Sequence, residues 1–507
     1  MAIKDELQAF ILDKFGFEPT TEQSQVVSMW ADFLLSTQRE EVFLLRGYAG
    51  TGKTTLVGAL VRALAALRRQ VVLLAPTGRA AKVFSLHADH PAFTIHKKIY
   101  RQKTFSAEMV DFQSDINKHR NTLFLVDEAS MISNEGLSGN IFGTGRLLDD
   151  LVHYVYAGEG CRLMLVGDSA QLPPVGEELS PALNANALAG YGLDVKEATL
   201  TQVMRQVEES GILWNATLLR QMIANEDMYA FPKLKVQGFP DVKLMPGDEL
   251  IEALEDSYYQ CGQDQTIVVT RSNKRANLFN NGIRCRILDY EDELVSGDQL
   301  IVVKNNYYWL DQTRLTQQTH PQPLPHRDGQ EEILEGPEEG LEGLGASFIA
   351  NGDVCVVRRY RNERELYGFR FADATLQFPD FDDMEVDATI LLDTLQCEAP
   401  ALTQERQTEL FNAICADYPE ITNRRDLIKK VKEDPYYNAL QVKYAYAVTC
   451  HKAQGGQWQR VFIDQGYVTE DMLSPDYFRW LYTALTRATE TVYLVNWPSS
   501  ECEEKLA

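Results

Sequence analysis

Short runs of consecutive apolar residues recur along the chain and predict buried strands. Each run is four or five residues long and ends in glycine or polar residues. Most are followed by a stretch with helical character, and alternation of strand and helix predicts an α/β fold with parallel sheets. One group of runs lies at 42–45, 71–74, 122–126 and 162–166, and a second lies at 266–270, 461–464 and 491–495.

Other stretches follow different patterns. Residues 1–40 and 404–432 have helical periodicity, whereas 297–304 and 348–357 alternate apolar and polar positions beside Gly-Asp and Asn-Gly turns. Such alternation predicts strands of a small β-barrel. Residues 97–121 are basic, aromatic and irregular, which indicates a small inserted hairpin or pin.

These patterns predict two α/β domains with two insertions. The predicted parts are N-terminal helices at 1–40, a first α/β domain at 41–206 with the pin at about 97–121, connecting helices at 207–264, a second α/β domain at 265–296 and 441–499, and a β-barrel insertion with acidic loops at 297–440.

Charge changes this picture only locally. The formal net charge is −24, which argues against a generic basic nucleic-acid binder. Much of the excess acid lies at 328–342 and 373–398, so a neutral or basic groove elsewhere is compatible with it. No apolar run approaches the roughly 20 residues of a membrane span, and the N-terminus does not resemble a signal peptide. Eight scattered cysteines without C-x-x-C favour a cytoplasmic location.

A glycine-rich loop joins the first apolar run to the helix that follows it. It has the pattern G-x-x-x-x-G-K-T at Gly47, Gly52, Lys53 and Thr54. Backbone N–H groups in such a loop cradle phosphates, the lysine reaches the β- and γ-phosphates, and the threonine hydroxyl holds Mg²⁺. The loop predicts an ATP site without saying what the hydrolysis drives.

Polar residues at the ends of later strands fit the same chemistry. Asp127 and Glu128 follow the run at 122–126, where they are placed to hold Mg²⁺ and to polarise the attacking water, or simply to cap a helix. Gln171 is placed to sense a γ-phosphate, in a loop stiffened by two prolines. Arg205 and Arg487 are candidate arginine fingers, although each alone fits an ordinary surface or helix charge.

Eight motifs extend this set in a fixed order: GYAGTGKTT, APTGRAAKV, TIH, LVDEAS, VGDSAQLPPV, LTQVMRQ, VTCHKAQGGQW and YTALTRA. Together they resemble the superfamily 1 helicases, specifically the RecD/Dda-like 5′→3′ branch. The resemblance covers both α/β domains and is weak over 207–260 and most of 305–440. It implies two RecA-like domains with ATP and Mg²⁺ between them, a pin insertion in the first and an SH3-like β-barrel insertion in the second.

The resemblance also implies roles for individual residues. The nucleotide-binding residues would be Gln23 (on adenine), Gly47, Ala49, Gly50, Thr51, Gly52, Lys53, Thr54, Thr55 and Gly455. The Mg²⁺ ligands would be Thr54 and Asp127, and the catalytic residues would be Lys53, Asp127, Glu128, Gln171, Arg205 and Arg487. The single-strand path would be lined by Thr77, Arg79, Thr94, His96, Pro174, Thr270, Asn273, Thr449, His451 and Lys452.

The resulting expectation is a monomeric ATP-dependent DNA helicase that acts on single-stranded and tailed duplex DNA, with repair or recombination proteins as partners. An alternative is a nucleic-acid-stimulated translocase that remodels protein–DNA complexes or acts on RNA without processive unwinding. A third is a degenerate motor that serves as a scaffold, which the complete set of motor residues disfavours. A P-loop kinase would leave the TCHKAQGG and ALTRA motifs unexplained.

Overall fold

The computed structural model describes residues 3–102, 112–135, 143–202, 209–306, 308–310 and 349–503. Arg205, the acidic segment 328–342 and the middle of the predicted pin lie outside these ranges. The helices within them are α1 (Ile3–Phe15), α2 (Thr21–Leu35), α3 (Lys53–Ala66), α4 (Gly78–Ala88), α5 (Ile95–Ile99), α6 (Leu147–Ala157), α7 (Ala185–Ala189), α8 (Gly211–Ala224), α9 (Leu250–Cys261), α10 (Asn273–Arg286), α11 (Gln404–Cys415), α12 (Arg424–Lys432), α13 (Cys450–Ala453) and α14 (Pro475–Leu485).

The strands confirm the predicted α/β fold class with an inserted barrel. They are β1 (Glu41–Gly47), β2 (Val71–Ala75), β3 (Ala92–Thr94), β4 (Tyr100–Gln102), β5 (Phe112–Ser114), β6 (Leu123–Val126), β7 (Arg162–Gly167), β8 (Asp194–Leu200), β9 (Val242–Met245), β10 (Thr266–Thr270), β11 (Gln299–Val302), β12 (Val354–Leu366), β13 (Phe369–Phe378), β14 (Met384–Leu391), β15 (Leu440–Tyr444), β16 (Ala447–Thr449), β17 (Trp458–Asp464) and β18 (Ala488–Val495).

The first sheet has the strand order β3-β2-β6-β7-β1-β8. All its pairs are parallel, so the carboxyl ends of its strands lie at one edge. Helices α1, α2 and α3 bury their apolar faces against this sheet, with Trp30 and Phe43 in ring contact at its core. The loops after β1, β2, β6 and β7 therefore meet at one edge, which is where open α/β sheets bind ligands.

The second sheet has the order β16-β10-β17-β18-β9 and is also parallel throughout. Its edge strand β9 corrects the sequence prediction, which assigned only connecting helices to 207–264. Both outer residues of β9 are buried and both middle ones are exposed, so the strand carries no apolar run that sequence patterning detects. Pairing with β18 supplies the missing stabilisation.

The barrel forms a separate compact unit over 292–445. Strands β11 to β15 close around a core that includes Phe369, Phe371 and Leu391, and helices α11 and α12 pack on it. The last strand, β15, extends past the predicted boundary at 440. Its pairing with β14 is parallel, whereas the other barrel pairs are antiparallel.

Candidate nucleotide and nucleic-acid sites

The phosphate-binding loop connects β1 to α3 through two left-handed glycines. Gly50 has φ +76° and Gly52 has φ +77°, a backbone region that other residues enter at a cost. The Tyr48 carbonyl accepts hydrogen bonds from the Lys53 amine at 2.9 Å and from the Thr51 hydroxyl at 2.8 Å. A Cβ on Gly47 would lie 2.8 Å from the Lys53 side chain, so glycine leaves the space that this lysine uses.

Gln23 closes this loop from the N-terminal side. Its amide nitrogen donates to the Thr51 carbonyl at 3.0 Å, and its amide oxygen accepts from the Thr20 backbone at 3.0 Å in a capping box at the start of α2. Because Gln23 is 1% exposed, the structure gives it a structural role in holding the loop. Its predicted contact with adenine stays a prediction.

Asp127 and Glu128 form a carboxylate pair at the end of β6. Burial, followed by the neighbouring Glu128 charge, raises the pKa of Asp127 to about 7, against the opposing effects of the Glu128 N–H and Lys53. Glu128 sits in the left-handed region at φ +53°. Two crowded carboxylates whose charges are poorly compensated fit a site for a divalent cation, and Thr54 at the start of α3 would complete the protein ligands for Mg²⁺.

Gln171 lies on the loop after β7 and is 7% exposed. Its side-chain oxygen is buried and has no hydrogen-bond partner among the described residues. Its backbone N–H donates to the Asp168 carbonyl at 3.3 Å, and the Asp168 carboxylate lies 3.9 Å from the Lys53 amine. An amide oxygen accepts hydrogen bonds, so this atom suits a bound water. The predicted role of Gln171 as a γ-phosphate sensor stays a prediction.

Three side chains that sequence reasoning missed contact the phosphate-binding loop, the loop after β7, or both. The Tyr482 hydroxyl donates to Asp168 at 2.6 Å and accepts from the Ala49 N–H at 2.8 Å. Arg479, one turn away on α14, donates to the Ser169 carbonyl. The Arg220 guanidinium lies 4.5 Å from the Tyr48 ring centroid. Only the position of Tyr482 and Arg479 on the helix of the YTALTRA motif could have drawn attention to them.

Of the two candidate arginine fingers, the structure describes only Arg487, and both roles stay predictions. Arg205 lies outside the described residues. The backbone N–H groups of Thr201 and Gln202, which precede it, donate hydrogen bonds to the Glu22 carboxylate. These hydrogen bonds lower the pKa of Glu22 by more than burial raises it. Arg487 is 4% exposed and follows the end of α14. Its guanidinium donates to the carbonyls of Thr483 and Gly456 and to the Thr486 hydroxyl.

The candidate strand-path residues of the first sheet lie mostly at helix starts. Thr77 and Thr94 are the N-caps of α4 and α5, with hydroxyls that accept from Ala80 and Lys97 N–H groups at 3.2 Å. Burial lowers the pKa of His96 to about 4, so its imidazole is neutral at pH 7. Pro174 is half-buried in the loop after Gln171.

Arg79 contacts the second sheet instead of standing free. Its guanidinium lies 4.1 Å from the Trp458 ring centroid and donates to the Gln457 carbonyl at 3.3 Å. Gly455 lies beside it, because a Cβ there would be 3.0 Å from Ala80 Cβ and 3.1 Å from the Thr77 hydroxyl. The predicted nucleotide contact of Gly455 stays a prediction, since the structure places it against Thr77 and Ala80.

Residues at the ends of β10 and β16 complete the predicted path. Thr270 is fully buried, and its hydroxyl donates to the Ser272 carbonyl at 3.1 Å, so the structure does not support a nucleic-acid contact there. Asn273 begins α10, and Thr449 precedes α13, which carries His451 and Lys452. Burial lowers the pKa of His451, with Asp476 opposing the shift, so a neutral imidazole is expected at pH 7.

The predicted pin coincides with a two-stranded antiparallel hairpin. Strands β4 and β5 pair between Tyr100 and Ser114, and the residues between them, 103–111, lie outside the described part. Arg101 and Asp115 form an ion pair of 3.3 Å at its base.

Two other features are absent from the described residues. No group of three or more histidine, cysteine or acidic side chains there could hold a metal ion. Likewise, the helices in the described ranges include none long and apolar enough to cross a membrane.

Two family models match the chain. Residues 20–239 match an AAA domain, and residues 444–495 match a UvrD-like helicase C-terminal domain. These matches contain the phosphate-binding loop, the carboxylate pair and both motifs of the second sheet that carry His451 and Arg487. The motif order and the family matches therefore agree.

Individual relatives match over different lengths. The ATP-dependent RecD2 DNA helicase of Deinococcus radiodurans is 33% identical over 171 residues, which is 34% of this chain and 20% of that protein. The ATP-dependent DNA helicase dda of Enterobacteria phage T4 is 25% identical over 270 residues, 51% of this chain and 55% of that protein. An uncharacterized protein, R530, of Acanthamoeba polyphaga mimivirus is 21% identical over 93% of this chain and 98% of its own length.

The chain thus spans a fifth of the RecD2 protein and about half of the phage protein. Among solved structures, a Pif1 helicase from Bacteroides in complex with ADP-AlF3 and ssDNA is 13% identical, covers 96% of this chain and 95% of its own, and has a TM-score of 0.45. The family matches, the helicase relatives and the ordered motifs therefore support the resemblance of this chain to the superfamily 1 helicases of the RecD/Dda type.

Proposed function

We propose that the protein is an ATP-dependent DNA helicase that moves 5′→3′ along single-stranded DNA and unwinds duplex DNA, in repair, recombination or replication. The observation that carries the proposal is the set of groups around the phosphate-binding loop. Lys53, the Asp127–Glu128 pair and the side-chain oxygen of Gln171, which has no hydrogen-bond partner in the part of the chain that the structure describes, meet at the carboxyl edge of one sheet. All eight cysteines are unpaired, which favours the reducing cytoplasm.

The proposed chemistry divides between these groups. The loop and Lys53 would bind the triphosphate, and Thr54 and Asp127 would hold Mg²⁺, which offsets the charge that develops on the phosphates. Glu128 would orient and polarise the attacking water, and Gln171 would hydrogen-bond to that water or to the γ-phosphate. The names of the RecD2 and dda relatives support DNA as the substrate and ATP as the energy source.

The test is steady-state ATP hydrolysis with and without a single-stranded oligonucleotide. Lys53→Ala should abolish turnover, because it removes the amine that faces the phosphates. Lys196→Ala is the matched control, since Lys196 lies on β8 at the surface and pairs with Asp194. DNA-stimulated turnover that is lost only with Lys53→Ala supports the proposal. Equal turnover with and without DNA contradicts it and directs attention to RNA or a protein partner.

Direction and unwinding need separate substrates. Duplexes with a 5′ or a 3′ single-stranded tail should be unwound from the 5′ tail only. Unwinding from the 3′ tail alone would refute the proposed polarity without affecting the ATPase assignment.

A second candidate is a translocase that hydrolyses ATP along a strand without separating duplex DNA. The pin has a short base, because β4 and β5 have three residues each, and this favours retaining the translocase as a candidate. Replacing residues 103–111 by Asn-Gly keeps both strands and closes them with a tight turn. If the protein is a helicase, this variant loses unwinding and keeps DNA-stimulated ATPase. If both activities are unchanged, the pin does not separate the strands. The translocase becomes the better description if the natural protein hydrolyses ATP on DNA without unwinding duplex DNA.

A further inference from the structure

The Tyr482 hydroxyl and the Lys53 amine both approach one buried oxygen of Asp168 beside the phosphate-binding loop. Asp168 is 1% exposed, and its Oδ2 receives the Tyr482 hydroxyl at 2.6 Å and faces the Lys53 amine at 3.9 Å. Its other oxygen accepts from the Ala170 N–H at 2.9 Å. A buried carboxylate needs such partners, because unpaired charge is costly in the protein interior.

Tyr482 belongs to the α/β domain that contains the second sheet. It lies on α14, which packs on β17 and β18, and its hydroxyl oxygen also accepts from the Ala49 N–H within the phosphate-binding loop at 2.8 Å. Burial and the nearby Asp168 charge raise the pKa of Tyr482 well above its usual value, so the hydroxyl keeps its proton. One hydroxyl therefore touches both the loop that binds phosphates and the carboxylate that faces its lysine.

Neighbouring contacts tie α14, and the residue that follows α13, to the loop after β7. The Leu172 N–H donates to the Thr483 hydroxyl at 2.9 Å, and the Gln454 amide donates to the Leu172 carbonyl at 2.7 Å. Ala170 and Leu172 also pack in the apolar core of the second sheet. A displacement of α14 would therefore move Tyr482 and this loop relative to the phosphate-binding loop.

We propose that Tyr482 is a positioning residue that couples strand binding on the second sheet to nucleotide binding on the first, through its hydrogen bonds to Asp168 and the Ala49 N–H. The inference rests on the proposed function. With Tyr482 in place, Asp168 is satisfied by a neutral donor and Lys53 remains available for phosphates. Without that hydroxyl, Asp168 attracts Lys53 more strongly. Strand binding can then no longer change the position of Lys53 through Asp168.

The experiment measures the affinity of a fluorescent non-hydrolysable ATP analogue with and without a saturating oligo-dT strand. The ratio of the two affinities is the coupling factor, and couplings of this kind typically span roughly 5- to 150-fold. In Tyr482→Phe we expect the factor to fall at least about fivefold, toward one. Reciprocity requires the same loss when strand affinity is measured with and without the analogue.

Tyr477→Phe is the matched control. Tyr477 is a buried tyrosine on the same helix, but its hydroxyl donates to Gln465 at 2.8 Å, within the second sheet's own core. It should lose comparable thermal stability and keep the coupling factor of the natural protein. A factor that falls equally in both variants would show that loosening of α14, not the Asp168 contact, is responsible, and would overturn the inference.

Asp168→Asn gives a second arm that does not depend on how well Tyr482→Phe folds. The neutral amide no longer attracts Lys53, so coupling should also be lost, and adding Tyr482→Phe should change it no further. Independent, multiplicative losses would contradict a shared pathway. If the natural protein is coupled and Tyr482→Phe keeps the full factor, the inference fails while the helicase proposal stands. If the natural protein shows neither coupling nor DNA-stimulated turnover, both fail.

Discussion

Substitution of Gly52 by alanine tests how the phosphate-binding loop is held in place. Gly52 has φ +77°, and a Cβ there would lie 2.9 Å from the side-chain nitrogen of Gln23. A non-glycine residue in this left-handed region costs about 1–2 kcal/mol. The added methyl also pushes the Gln23 amide from the Thr51 carbonyl, to which it donates at 3.0 Å. Leaving that buried pair unmade costs about 1–3 kcal/mol.

Gly52→Ala should therefore destabilise the protein by about 2–5 kcal/mol, the sum of the two costs. Gln23→Ala alone loses the same amide bond together with the capping-box bond to Thr20. In the double variant the methyl added at position 52 no longer meets the Gln23 amide, and the hydrogen bond to the Thr51 carbonyl is lost only once. The double variant should thus be more stable than the sum of the single changes by about 1–3 kcal/mol.

The assay is urea-induced unfolding of the natural protein, both single variants and the double variant. Trp30 is fully buried in the core of the first sheet, so it contributes to the tryptophan fluorescence that follows unfolding, together with the five other tryptophans of the chain. Strict additivity of the two changes would refute the reasoning, because it would mean that the Gln23 amide does not limit the space at Gly52.

The same variants separate a structural role of Gln23 from adenine recognition. Because both ends of its amide are bonded to Thr51 and Thr20, Gln23→Ala should reduce ATP and GTP turnover by the same factor. A loss confined to ATP would show that the amide leaves these partners to contact the base.

Three further expectations follow from individual contacts. Asp127→Asn should lower Mg²⁺-dependent ATP turnover by roughly 10²-fold or more, since it removes the charged metal ligand; an unchanged metal titration would contradict this. Burial raises the pKa of Asp353 from 3.8 to about 7, so the folded state loses stability as the pH rises from about 4 to 7. Asp353→Asn should therefore be more stable than the natural protein at pH 8, by up to about 4 kcal/mol, and equally stable at pH 4. Arg79→Ala should weaken oligonucleotide binding without changing how steeply the affinity falls with salt concentration, because the guanidinium contacts Trp458 and Gln457. A slope of log affinity against log salt that is reduced by about 1 would indicate a phosphate contact.

Strands buried on both faces were predictable, whereas edge strands were not. The run at 42–45 belongs to a strand with a partner on each side and is entirely apolar, so composition alone locates β1. Strand β8 pairs with β1 at the edge and is exposed or half-buried at every position except Leu200, and β9 has only two buried residues. Their assignment depends on a partner strand that is distant in sequence, and no local pattern identifies that partner.

The sequence by itself determined the local chemistry of the site. A strand, two glycines at positive φ and a helix start position Lys53 and Thr54 whatever surrounds them, because these conformations depend on neighbours within a few residues. The same is true of the carboxylates at the end of β6, which follow an apolar run directly.

Only the tertiary structure decided which distant groups act on that chemistry. Tyr482 reaches Ala49 across 433 residues of sequence, and Gln454 reaches Leu172 across 282. Arg79 similarly has its guanidinium on Trp458 instead of in solvent. Hydrogen bonds and ring contacts form between groups that are close in space, and that proximity arises only when two sheets formed from separate stretches of the chain pack together.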